Sequence, residues 1–169
     1  MQFWSTILGV ILGGILAISG GFLEKIYERR KERESLRAAL RAEIQAILAI
    51  VERRDYIARL SNFIEAIKGG STNVFEIRIG RDYDIVFRSN CGKLGLLPSE
   101  TAVRTVGFYY LVSSVVEDLV LLQDASESAS LQTRYQLDRQ RGNLAFHEQM
   151  RELSIETVAL GNDLIQELA

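Results

Sequence analysis

The side chains best suited to catalysis in this 169-residue chain are a single cysteine, a single histidine and a few carboxylates. Cys91 and His147 could act as nucleophile and base, because residues far apart in sequence can meet in a fold. A lone cysteine inside the cell is more often a small buried residue without a chemical role. We therefore expect Cys91 and His147 to be structural.

Glu117 and Asp118 form an adjacent acidic pair on a predicted helix. Such a pair could serve in general acid and base catalysis. A carboxylate on a buried helix is more commonly paired with a cation from a neighbouring helix. We expect this structural role, with the partner among Arg41, Arg53 and Arg54.

Two short strings begin like metal sites and do not continue as such. His147-Glu148 opens a zinc string, but Arg151 stands where the second histidine is required. The range 82–84 opens like a calcium loop, but Val86 and Phe87 replace the third ligand and the glycine. The sequence predicts no metal and no cofactor.

Phosphate and nucleic-acid sites are also not indicated. Gly92-Lys93 has neither the upstream glycine nor the following Ser or Thr of a phosphate-binding loop. Nucleic-acid binding favours a basic domain, whereas the chain beyond Arg41 has a net charge of −5, because the total is −2 and the range 24–41 contributes +3. We predict no nucleic-acid partner, no small-molecule substrate and no enzymatic activity.

The N-terminal segment has the composition of a membrane span. Phe3 to Leu23 contains no charged residue over 21 positions, and about 20 apolar residues cross a hydrocarbon core as a helix. A cleaved signal peptide is the alternative, but Met1-Gln2 carries no cation and the apolar run is long for that purpose. We expect a permanent transmembrane helix over residues 3–23.

Orientation follows from the basic residues beside the span. Seven Lys and Arg lie between Glu24 and Arg41, and none precedes the span, which places the C-terminal part in the cytoplasm and the N-terminus outside. The single cysteine and the absence of an Asn-x-Ser/Thr site fit a reducing compartment. The predicted location is the inner membrane, crossed once.

Two rows of residues are candidate contact sites. Small residues recur every fourth position in the span, a spacing that lets helices approach closely and predicts pairing with a second copy or with a partner's membrane helix; they are Ser5, Gly9, Gly13, Ala17 and Gly21. A basic row follows and predicts contact with lipid head groups; it comprises Lys25, Arg29, Arg33 and Arg37. Interleaved glutamates favour a simple solvated face for the basic row instead.

Beyond the span the pattern is mainly α-helical. Residues 24–68 contain no Gly or Pro, which predicts one long helix with a basic stalk over 24–41 and a bend near Arg53. Its apolar residues at helical spacing should face inward; they are Leu36, Leu40, Ile44, Ile47, Leu48, Val51, Ile57, Leu60, Ile64 and Ile67. Gly69 and Gly70 should end it. Asn73 to Ile79 alternates and predicts a short strand or an extended segment.

Three more helices are expected in the cytoplasmic domain, residues 42–169. The first is capped by Asp82 or Asp84, runs to Leu96 and buries Ile85, Val86 and Leu94. The second opens at Ser99 and buries the stripe Val103, Val106, Tyr110, Val115, Leu119 and Leu122. After a polar connection at 124–130, the last spans 131–168 with Phe146, Met150, Leu153, Leu160, Leu164 and Leu168 inward. Long helices with short loops predict an antiparallel bundle.

The stretch from Tyr83 to Asp118 contains Asn90-Cys91-Gly92-Lys93-Leu94-Gly95-Leu96-Leu97-Pro98 and then Gly107-Phe108-Tyr109-Tyr110. It resembles a pattern found in uncharacterised bacterial proteins that also have one N-terminal membrane helix. The resemblance covers about a fifth of the chain. It implies a bacterial inner-membrane setting and carries no activity with it.

Together these features favour a membrane-tethered interaction or scaffold protein, acting through self-association or a partner. The alternative is an oligomeric membrane effector or pore component, in which several glycine-rich spans assemble and alter permeability.

Overall fold

The computed structural model describes residues 2–70, 82–128 and 144–169, with side chains described for 21–22, 24–70, 82–120 and 144–169. The described residues are mainly helical and include no strand. These ranges contain a 3-10 helix at Cys91–Leu96 and five α-helices, which are α1 (Gln2–Arg53), α2 (Tyr56–Lys68), α3 (Ile85–Asn90), α4 (Ser99–Ser128) and α5 (Leu144–Glu167).

The long helix expected after the apolar segment is present, and it breaks where the sequence predicts. α1 ends at Arg53, and Asp55 takes a left-handed conformation with φ of 51°. A residue in this conformation cannot continue a right-handed helix, so the ladder of hydrogen bonds is interrupted. Asp is one of the few residues besides Gly and Asn that tolerate it. The polar interval before α2 therefore becomes a sharp corner.

α2 ends at the predicted glycines. The amide of Gly69 donates to the carbonyl of Glu65, and the amide of Gly70 donates to that of Ile67. Gly70 has φ of +83°, a value that favours glycine because it has no Cβ. The segment Asn73–Ile79, predicted as a strand or extended, lies outside the described residues.

After residue 82 the chain packs back along α1. α3 and the 3-10 helix contact it, and Lys93 pairs with Glu32 at 2.8 Å. The predicted cap is wrong, because the Asp84 side chain makes no capping hydrogen bond and instead pairs with Arg88 at 3.0 Å. Ile85, predicted to be inward, is 54% exposed, because the short α3 turns its opposite side toward α1.

α4 begins directly after Pro98, as predicted, with Glu100 in its first turn. Two members of its predicted stripe are wrong, since Val103 and Tyr110 are 69% and 74% exposed. The buried face is centred on Phe108 and Tyr109 instead. The predicted connection at 124–130 is also wrong over 124–128, because α4 continues to Ser128.

α5 runs antiparallel to α1 and α4. Its C-terminal end contacts Arg37 and Arg104 near the starts of the packed parts of those helices. Close approach occurs at Gly161, where a Cβ atom would lie 2.7 Å from Cε2 of Phe108 and 3.1 Å from the Leu48 methyl groups. The predicted inward residues Met150, Leu164 and Leu168 are buried. Residues 131–143 of the predicted last helix lie outside the description.

Two hydrophobic clusters form the core. The first joins α1, α4 and α5, and the second joins α2 to the later part of α4 and the start of α5. We call them the stem cluster, built on Leu36, Leu40, Ile44, Ile47, Leu97, Phe108, Tyr109, Val112, Leu164 and Leu168, and the tip cluster, built on Leu60, Phe63, Ile64, Ile67, Leu119 and Met150. The residues of α1 predicted to face inward contribute to the stem cluster, and those of α2 contribute to the tip cluster.

The predicted span from Phe3 to Leu23 lies in the helical backbone of α1, and nearly all of its side chains are outside the description. Within the described part of the chain, no helix has both the length and the apolar character needed to cross a membrane.

Candidate functional site

The first described side chains of α1 form an exposed surface, which we call the collar, residues 21–35. Every side chain described from Glu24 to Ser35 is exposed. Three of the collar's large side chains are apolar or aromatic, with Phe22 65%, Ile26 49% and Tyr27 70% exposed. An apolar patch beside a cationic row is typical of helices at a membrane interface.

The predicted contact rows meet different surroundings. Lys25, Arg29 and Arg33 are exposed on the collar. Arg37 donates from Nη2 to the carbonyl of Glu167 at 2.9 Å, so it lies against the end of α5. Gly21 has open space around it. The side chains of the rest of the small-residue row lie outside the description, so its role stays a prediction; these residues are Ser5, Gly9, Gly13 and Ala17.

A carboxylate on α1 holds α3 in place. Glu43 accepts hydrogen bonds from the amides of Val86 at 2.7 Å and Phe87 at 2.9 Å, and from the Tyr109 hydroxyl at 2.7 Å. Those amides are the second and third of α3, the groups that a capping side chain normally binds. Burial, and then the hydrogen bond to Glu43, raise the pKa of Tyr109 above its usual range. The protonated phenol is the donor in this hydrogen bond to Glu43.

Aromatic packing completes this clamp. The rings of Phe87 and Tyr109 stack with centroids 4.0 Å apart and an interplanar angle of 12°. Phe108 meets Tyr109 edge to face at 5.3 Å. α1, α3 and α4 are thus joined by directional contacts in one place.

A second clamp joins α4 to the end of α5. Arg104 pairs with Asp163 at 3.0 Å and also with Glu167. The guanidinium fork suits two carboxylates at once. With Arg37 on the Glu167 carbonyl, the last turn of α5 is held by cations from two helices.

An apolar cavity of about 330 Å³ lies where α1 breaks into α2. Four helices line it, and its walls touch both clusters, through Ile47 and Val112 on one side and Leu60 and Leu119 on the other. Arg54, Tyr56 and Asp82 supply polar groups at its edge, and Arg54 donates to the Tyr56 hydroxyl at 2.9 Å. This volume is in the range of small-molecule sites.

The structure does not bring Cys91 and His147 into one hydrogen-bonded pair. Cys91 is exposed and donates to the Phe87 carbonyl at 3.3 Å. His147 is 2% exposed, packs edge to face on Phe63 with centroids 5.2 Å apart, and has a buried Nδ1 without a hydrogen-bond partner in the described part of the chain. Burial lowers the pKa of His147. His147 therefore packs as a core residue, whereas Cys91, for which burial was expected, is exposed.

The acidic pair on α4 has a different environment from the one predicted. Glu117 accepts from the Ser113 hydroxyl at 3.2 Å, and burial followed by the Glu117 charge raises the pKa of Asp118. Neither is among the ion pairs found in the described residues, which involve other carboxylates. Arg41 has a buried Nε without a hydrogen-bond partner among the described residues. The predicted pairing of Glu117 or Asp118 with Arg41, Arg53 or Arg54 is not among these ion pairs.

Sequence reasoning missed Glu43, Arg104 and the cavity. Glu43 lies between the inward residues Leu40 and Ile44, and a carboxylate beside an apolar stripe is the one signal that could have indicated a buried acceptor. Arg104 has no such signal, because its partners are about 60 positions away. No group of three potential metal ligands occurs in the part of the chain described.

Comparison of the chain with protein-family models, with curated proteins and with solved structures found no match.

Proposed function

We propose that the protein is a membrane-tethered scaffold, anchored by residues 3–23 in the inner membrane and carrying a cytoplasmic helical body that binds a second copy or another protein. The observation that supports it is the continuity of α1 from Gln2 to Arg53. One helix joins the apolar segment to the bundle with no loop between them.

The length of α1 fits this arrangement. Its 52 residues extend about 78 Å at 1.5 Å per residue. Packing into the stem cluster begins at Leu36, so residues 24–35 of the exposed collar form a spacer of about 18 Å. A body held on a rigid spacer is presented in a defined orientation to whatever lies at the membrane surface.

The collar gives a second line of support. Exposed Phe22 and Tyr27 are unfavourable on a fully solvated rod but favourable where head groups meet water. Lys25, Arg29 and Arg33 are exposed and able to reach lipid phosphates. Arg37 serves α5 instead, so the proposed lipid contacts are the first three residues of the row.

The tether is tested with a cytoplasmic reporter fused after Ala169 and extraction of membranes at alkaline pH. We expect an active reporter and protein that stays in the membrane pellet. Leu12→Lys should release the protein, because a lysine at the centre of a span costs about 3 kcal/mol. The matched control Ile26→Lys, on the exposed collar, should remain in the pellet. Release of the unmodified protein, or an inactive reporter, would rule the proposal out.

Self-association is tested by cysteine-independent crosslinking in native membranes. Gly13→Leu should lower the dimer fraction several-fold, because the small-residue face no longer permits close approach. Gly14→Leu, one position off that face, is the control and should change little. Recovery of monomer alone, with no co-purifying protein, would contradict the scaffold. Loss of membrane potential on overproduction would favour the alternative, a membrane effector.

A further inference from the structure

We propose that the cavity at the α1–α2 break binds one aliphatic chain of a single-chain amphiphile, with the polar end of that molecule at the cavity mouth. The proposal goes beyond the scaffold function and does not depend on self-association. The cavity holds about 330 Å³, or roughly eleven times the liquid volume of a water molecule.

The chemistry of the wall selects the class of ligand. The inner lining is mostly aliphatic, with Leu48, Val115, Val116 and Val158 among its members. Two of the lining hydroxyls belong to α5, and each donates to a backbone carbonyl of that helix, Ser154 to Met150 at 2.8 Å and Thr157 to Leu153 at 2.7 Å. Their protons are already used, so the wall offers few hydrogen bonds and favours a saturated chain.

The position of the cavity explains why a flexible chain suits it. Protein interiors are normally packed as densely as organic crystals, with few voids larger than a water molecule. Here the helix corner at Asp55 separates the stem cluster from the tip cluster, and the side chains of four helices do not meet across the gap. A chain of methylene groups is flexible enough to follow such an irregular space.

The mouth of the cavity carries charged side chains that can bind the polar end of the amphiphile. Ile50 is 51% exposed, and Arg54 and Asp82 are also exposed members of the lining. One cation and one anion at the same edge can hold either a carboxylate or an amine. The shared chemistry is therefore the aliphatic chain, and the sign of the polar end is a matter for measurement.

The test uses the full chain in lipid nanodiscs and dodecanoate bearing a diazirine at the end of its chain. Photolabelling should modify α4 between Val112 and Leu119 and α5 between Ser154 and Val158. Val51 follows Leu23 by 28 residues, about 42 Å along the helix axis, so probe dissolved in the bilayer cannot label these positions. Labelling confined to other parts of the chain would overturn the proposal.

Two variants of the same helix sharpen the result. Val116→Trp fills the cavity and should lower labelling at least tenfold, equivalent to about 1.4 kcal/mol of binding free energy. Val103→Trp, at a position 69% exposed, should leave labelling within about twofold of the unmodified protein. Equal labelling of both variants would contradict the proposal. If Val116→Trp does not fold, as judged by circular dichroism, Val115→Phe takes its place.

Competition with unlabelled probes completes the experiment. Protection by dodecanoate supports a carboxylate held at Arg54, and protection by dodecylamine supports an amine held at Asp82. Protection by neither overturns the proposal. A cavity already filled by the chain itself would give no labelling at α4, with strong destabilisation by Val116→Trp, and this outcome also overturns it.

Discussion

The stem cluster and the tip cluster contain similar apolar side chains but differ in what surrounds them. Around the stem cluster, Glu43 and Arg104 make directional contacts between helices that are far apart in sequence. Beside the tip cluster, an exposed ion pair joins Lys68 to Glu148 at 3.0 Å. His147, which packs on Phe63, has a buried Nδ1 without a hydrogen-bond partner among the described residues. Apolar burial supplies stability to both clusters, whereas fixed geometry depends on the polar contacts. We infer that the stem cluster is the fixed part and the tip cluster the part that opens first.

The largest expected effect comes from breaking the stem clamp. Glu43→Ala removes three hydrogen bonds and leaves the Val86 and Phe87 amides and the Tyr109 hydroxyl without an acceptor. We expect a loss of about 3 kcal/mol in the free energy of unfolding, measured by urea denaturation of the full chain in detergent. Glu52→Ala, at an exposed position of the same helix, should change it by less than about 0.5 kcal/mol. Equal effects of the two would refute the assigned importance of the clamp.

Close packing in the stem cluster is tested with two glycines. Gly161→Ala places a Cβ 2.7 Å from the Phe108 ring, and we expect destabilisation of about 2 kcal/mol. Gly107→Ala is the matched control, because nothing lies within 4 Å of its Cβ position in the middle of α4. It should stabilise the protein by about 0.5 to 1 kcal/mol through helix propensity. If both substitutions act in the same direction, the helices are not in contact at Gly161.

The tip cluster should be the part that responds to pH. Burial lowers the folded pKa of His147 below the ordinary 6.5, so the unfolded state binds the proton more readily. The contribution of His147 to the free energy of unfolding is therefore fully present above pH 6.5, and it is lost as the pH falls from there through the folded pKa. Hydrogen exchange, corrected for intrinsic rates, should accelerate in α2 at pH 5 and remain unchanged around Glu43.

The only histidine in the chain makes the control simple. His147→Leu should remove the acceleration in α2. As the pH falls, the contribution of Asp118 to stability changes in the opposite direction, because its folded pKa is raised. Asp118 therefore cannot produce the loss of stability expected from His147. Acceleration that persists in His147→Leu would assign the pH response to another group.

The smallest effect is expected at the surface of the tip cluster. Lys68→Met removes the ion pairs to Glu65 and Glu148, but solvent screens such exposed pairs. We expect a smaller change in thermal midpoint than for any variant above, and one that disappears in high salt. A shift as large as that of Gly161→Ala would show that the tip cluster depends on this pair.

The sequence predicted the elements of the fold better than their contacts. Apolar spacing correctly identified Leu40, Ile44, Ile64 and Leu164 as core residues, because helical periodicity is a local property. It misplaced Tyr110, since Val, Leu and aromatic residues occur on several faces of α4 and only packing against α1 and α5 selects Phe108 and Tyr109.

The candidate sites were predictable only in part. The collar follows directly from charge order along the chain, and its exposed residues are where the pattern places them. The Glu43 clamp and the cavity depend on which helices meet, a matter of distances across more than 40 positions. Capping by Asp84 was a sound local expectation, and the more remote carboxylate occupies its role.

The continuity of α1 has a geometric consequence for the whole molecule. Because no loop intervenes between the apolar segment and the bundle, each residue added within 24–35 would turn the body by about 100° and raise it by about 1.5 Å. Seven added residues would nearly restore its heading, whereas two would point it almost the opposite way. The number of residues in the collar thus sets the orientation of the helical body about the axis of α1. It determines which side of the body would face a neighbour bound at the apolar end of that helix.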